Sequence, residues 1–152
     1  YAIAFAINAI GMVSCTALSG KLAKRYSLEK LIALGLAVNV TAVAGIGLVT
    51  VSGADIRLMA ICFFFIVASL GFIFGNSTAV ALSAVDRAAV GTASAMIGMS
   101  QFALGGIATA TAGLSGENST VALAIVSAVS AACALSAFLV ARKAPVKVHR
   151  IG

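Results

Sequence analysis

"GNSTAVALSAVDRAAVGTASAMIGMSQFALGG", Gly75 through Gly106, is almost wholly apolar or small, yet Asp86 and Arg87 sit side by side in its middle. Such a stretch is either one long core helix or two membrane crossings joined by a short turn. Charges left without partners in mid-bilayer cost several kcal/mol, so Asp86 and Arg87 read as a loop. The stretch is then two crossings, and the rest of the chain has to agree.

It does. Of the 152 residues, 62% are hydrophobic and 9% charged, with a mean hydropathy of +1.16. Soluble domains carry about 25% charged residues; ten basic and four acidic side chains cannot clothe a water-facing surface. Five hydrophobic runs emerge, at about Tyr1–Ser19, Lys30–Val51, Arg57–Ala81, Ala89–Leu114 and Thr120–Ala141. Each approaches or exceeds the ~20 residues that cross ~30 Å of hydrocarbon at 1.5 Å per residue. Alternation of period two is missing, which argues against a β-barrel. The single proline, Pro145, follows the last run, where it stops a helix without kinking a span. The expected fold is therefore all-α, a polytopic membrane bundle of five helices over residues 1–141 with a basic tail over 142–152. The chain opens inside a hydrophobic run, with no initiator methionine, basic leader or cleavage site. It is expected to belong to something longer.

The connectors between runs are short, polar and rich in turn formers. Lys21, Lys24, Arg25 and Lys30 lie in the first, Arg87 in the third, and Arg142, Lys143, Lys147 and Arg150 in the tail. If five helices alternate, these nine share one side, and Arg57, beside Asp55, lies alone on the other. The excess of Lys and Arg in short loops marks the cytoplasmic face, so the first and third connectors and the C-terminus are expected there. This placement, with few aromatics to stack bases, excludes a nucleic-acid interface; the lipid bilayer is the expected partner.

Helices in lipid associate through close packing and polar contacts, because the solvent is as apolar as leucine. Gly91, Ala95, Gly98, Phe102, Gly105 and Thr109 recur at steps of three and four, a mostly small face on one helix. Met96, Leu104 and Ile107 point away from it. Gly71 and Gly75 form a small-xxx-small pair in the third run. Four amides, Asn8, Asn39, Asn76 and Gln101, lie at membrane depth, with Gln101 nearest the midplane by position. Two readings of them stay open: hydrogen bonds between helices, or the polar lining of a cavity that touches substrate.

No Asp, Glu, Lys, Arg or His lies inside a run, so this chain holds none of the titratable groups that proton- or ion-coupled pumps keep in their pathway. Cys15, Cys62 and Cys133 sit alone in apolar runs and read as small hydrophobes. His149 is a tail residue. No metal cluster, nucleotide loop or nucleophile–base pair is visible, so neither enzyme activity nor a cofactor is expected.

Two motifs resemble a known family. "LSGKLAKRYSLEKLIALG", Leu18 to Gly35, resembles the cytoplasmic loop G-x-L-A-D-R-x-G-R-R-x-x-L of major facilitator transporters. Gly20, Leu22, Ala23 and Arg25 match it, while Lys24 replaces Asp and Ser27 replaces Gly, as is common in the C-terminal copy. The opening stretch resembles helices ten and eleven of drug:proton antiporters of the Bcr/CflA type, P-N-A-x-A-L-A-L-x-P-x-x-x-x-A-G-x-A-S-A-L-x-G-x-x-Q. Asn76, Ala79, Ala81, Leu82, Gly91, Ala93, Ser94, Ala95, Gly98 and Gln101 fall in step with it. Gly75 and Ala84 stand where that family carries proline, which implies a straighter helix ten.

The resemblance maps the five runs onto helices eight to twelve of a C-terminal half. It implies alternating access by two rocking six-helix bundles, in the inner membrane of a bacterium. A drug-like substrate would leave in exchange for protons, the coupling carboxylates belonging mainly to an N-terminal half that this chain lacks. Under it Gly20, Leu22, Lys24 and Arg25 form a cytoplasmic gating loop. Asn8, Asn76, Gln101, Met96 and Met99 are substrate-cavity candidates, the methionines through their adaptable shape. Gly71, Gly75, Gly91, Ala95, Gly98 and Gly105 are packing residues.

Overall fold

The computed structural model describes residues 2–53, 55–113 and 119–143. Tyr1, Leu114, the connector 115–118 and the tail beyond Lys143, with its Pro145, Lys147, His149 and Arg150, lie outside the described residues. Within them the chain is all-helical: α1 Ala2–Leu22, α2 Leu28–Ser52, α3 Ile56–Ser83, a single 3-10 turn Arg87–Ala89, α4 Val90–Gly113 and α5 Ser119–Lys143. Each of the five is long and apolar enough to cross a membrane. The chain is a multi-pass membrane bundle.

Local chemistry sets the helix ends. Lys21 in the last turn of α1 complements the helix dipole. The chain then turns tightly, Arg25 and Tyr26 both donating their backbone N–H to the Leu22 carbonyl. Gly20 and Leu22, expected in the loop, are instead the last turn of α1. The Ala23 N–H still reaches the Ser19 carbonyl at 2.8 Å, so the helical ladder runs on past them. α2 stops at Gly53, whose φ of 63° is left-handed and whose N–H caps the Val49 carbonyl; that conformation favours glycine. Two residues later the Asp55 carboxylate accepts from the Arg57 N–H at 3.0 Å and caps α3. The helix break in the opening stretch falls after Ser83, and both Asp86 and Arg87 are exposed in it. α5 ends with Arg142 and Lys143 in its last turn, again favourable to the dipole.

The core is built on α3, which packs along α2 on one side and α1 on the other, while α5 lies against α2. On α2 the buried residues Leu31, Gly35, Asn39, Ala42 and Ile46 recur at three and four, one face of a helix; Ile46 is fully buried. Ala68 and Phe72 answer from α3. α4 is different. Its main contacts are with its chain neighbours α3 and α5, and none of its residues whose burial is described is buried. Outward-facing Val51 is 89% exposed and Phe102 85%. Apolar surfaces of that kind on every helix fit a lipid solvent and would not fit water.

Candidate functional site

Close approach of backbones positions the bundle. A Cβ built on Gly71 of α3 would lie 2.7 Å from the Met12 carbonyl oxygen and 2.8 Å from the Thr16 nitrogen of α1. Only a hydrogen fits between the two backbones at this crossing. Gly11 of α1 receives the Phe64 ring, and Gly35 of α2 receives Phe72 and Ile73. Gly75, the partner of Gly71 in the small-xxx-small pair, meets nothing within 4 Å. Gly91, Gly98 and Gly105 on α4 likewise face open space, and Ala95 is exposed.

Two amide–hydroxyl contacts lock these crossings. Asn39 Nδ2 of α2 donates to Ser69 Oγ of α3 at 3.0 Å, and the Ser69 hydroxyl in turn donates to the Ile66 carbonyl at 2.6 Å. Asn76 Nδ2 of α3 donates to Ser19 Oγ of α1 at 2.7 Å and to the Phe72 carbonyl at 2.6 Å. All four side chains are buried. The amide of Asn76 is thus engaged between helices, where it supplies directional contact in a region with no water to compete. Ser19 and Ser69 escape a reading of the sequence because serine is common in membrane helices. Their signal is visible only in pairs, each hydroxyl meeting an amide on a neighbouring helix.

Asn8 is unlike the other two. Its Nδ2 donates to the Ala4 carbonyl one turn back at 2.9 Å, whereas its Oδ1 is buried without a hydrogen-bond partner. The residue lines a groove of about 500 Å³ between α1 and α3, with Ala4 and Met12 on one wall and Ala60, Phe63 and Val67 on the other. A buried carbonyl left unpaired costs about 1–3 kcal/mol. The oxygen is buried as it stands, so the Asn8 side chain has to rotate before this acceptor can take a hydrogen bond from a molecule in the otherwise apolar groove.

The remaining candidates are not gathered there. Gln101, Met96 and Met99 are exposed on α4, away from Asn8 and from Asn76. Lys24 and Arg25 are exposed in the turn after α1. The five candidates for a cavity therefore divide into three places: the α1–α3 groove, the α1–α3 crossing and the open surface of α4. No family model matches the chain, and no curated protein or solved structure is similar to it.

Proposed function

We propose that these residues form helices eight to twelve of a major facilitator transporter of the drug:proton antiporter type. It would export drug-like molecules from the bacterial cytoplasm across the inner membrane, with the C-terminus cytoplasmic. The observation that carries the proposal is Asn8: one unpaired polar atom, buried at membrane depth in an apolar groove. That combination suits a permissive site, in which apolar walls accept varied shapes and a single acceptor, brought out by rotation of the Asn8 side chain, orients them. The uncovered face of α4 supports it too, since a second bundle rocking against this one needs a smooth, small-residue surface. Protons would be handled by carboxylates outside this chain. The 152 residues alone are accordingly expected not to transport.

The test uses ethidium as a fluorescent cationic probe. Cells expressing the whole reading frame that contains these residues are expected to accumulate less ethidium than cells without it. Asn8→Leu is expected to weaken apparent affinity about tenfold, the loss of one hydrogen bond of ~1.4 kcal/mol, at unchanged protein level. Equal ethidium with and without the protein would sink the proposal. The open small-residue face of α4 favours a second reading, a non-transporting five-helix subunit that assembles with a partner helix. Under it ethidium is unaffected and the chain co-purifies with a defined membrane partner.

A further inference from the structure

α1 and α2 each pack on α3, and between them runs a groove of about 520 Å³ that opposes Ile7, Ile10 and Ser14 of α1 to Leu34 and Val38 of α2, floored by Phe65 and Phe72. From its geometry we infer that this groove is a binding site for an anionic phospholipid of the leaflet on the side of the Lys21–Lys30 connector, holding one acyl chain. The inference stands on the membrane-spanning helices and is independent of transport.

Periodicity ties the groove to charge. On α1 the groove positions Ile7, Ile10 and Ser14 continue at the same helical spacing through Leu18 to Lys21. On α2 Lys30 stands one turn from Leu34 along the same side. The groove itself ends at Ser14 and Leu34, and beyond it each of the two helix faces carries an exposed lysine toward the same membrane surface. Glu29, the one acidic residue of the connector, falls on the opposite side of α2 at 3.6 residues per turn. Aliphatic lysine stems can lie along the groove mouth while the ammonium groups reach the interface.

The dimensions match a single lipid. Lys21 and Ile7 are fourteen residues apart on α1, about 21 Å at 1.5 Å per residue. One leaflet, headgroup included, is half of the bilayer's ~40–45 Å. The lysines then meet the phosphate and Ile7 the methyl end of the chain. The polar side chains in the groove are Ser14 and Cys15 of α1 and Ser69 of α3, whose hydroxyl is already bonded to Asn39 and the Ile66 carbonyl, too few to compete with an acyl chain for apolar contact.

The chain would be reconstituted in nanodiscs of equimolar phosphatidylcholine and phosphatidylglycerol, and the lipid it retains counted by native mass spectrometry. At low salt an attraction of about fivefold per lysine gives an expected enrichment of phosphatidylglycerol of about 25-fold at one site. Lys21→Gln with Lys30→Gln is expected to remove that enrichment, and Ser14→Phe, which fills the groove from its open side, to reduce retention of both lipids. The double glutamine variant alters only exposed positions, so it reports on the site even if Ser14→Phe fails to fold. Equal retention of the two lipids would overturn the inference. So would an enrichment indifferent to the lysine pair, because other basic residues would then be its source, or a groove occupied by a second copy of the chain in cross-linking.

Discussion

Gly71 and the two asparagine contacts are where single side chains decide the packing. At Gly71 any Cβ would press on the α1 backbone, which cannot yield as a flexible side chain can. Gly71→Ala is expected to destabilise the bundle by about 1–3 kcal/mol, read as a lower midpoint in detergent unfolding followed by helical circular dichroism. Gly47→Ala, with nothing within 4 Å, serves as the control and should leave the midpoint unchanged or raised. Asn76→Ala should cost about 0.6–2 kcal/mol. A double-mutant cycle of Asn76 with Ser19 should return a coupling near the lower end of that range, and no coupling would mean that the 2.7 Å contact contributes nothing. The special character of Asn8 rests on one atom. Its depth in a helix is plain from sequence, but whether a carbonyl oxygen is paired depends on a neighbouring helix some fifty residues away.

The five helices, their approximate ends and the break at Asp86 are legible from hydropathy, because a ~30 Å solvent slab imposes length and composition on every span. The ends shift where capping decides them: α1 runs to Leu22 because its ladder continues, and α2 halts at the left-handed Gly53. Which faces meet is far less legible. In lipid both buried and exposed faces are apolar, so hydropathy carries little orientation. The regular glycine stripe of α4 looks the strongest packing signal in the chain, yet it faces open space, while Gly11, Gly35 and Gly45, without so clear a repeat, receive Phe64, Phe72 and Cys62. α4 offers its own test. On an uncovered helix Gly98→Ala removes backbone freedom and should stabilise by up to ~1 kcal/mol. In the complete assembly, where the proposed second bundle covers this face, the same change should destabilise by about 1–3 kcal/mol. The sign of the change distinguishes the two states.

At the scale of the whole molecule, charge placement gives the bundle its sidedness. The turn after α1, the break at Asp86 and the end of α5 carry Lys24, Arg25, Arg87, Arg142 and Lys143, whereas Arg57 sits beside Asp55 on the other side. If these basic residues face the cytoplasm, a membrane-impermeant maleimide on intact cells should label Asp55→Cys and spare Lys24→Cys, in a background with Cys15, Cys62 and Cys133 replaced by alanine. The reverse pattern would invert the topology. The measurement that bears most directly on export is ethidium movement in proteoliposomes containing the product of the whole reading frame, with a pH gradient as the only driving force. Ethidium flux that follows the sign of the gradient, collapses with a protonophore and falls with Asn8→Leu is the expected result. Flux no greater than in protein-free vesicles under either gradient would contradict the assignment of this bundle to a proton-coupled exporter.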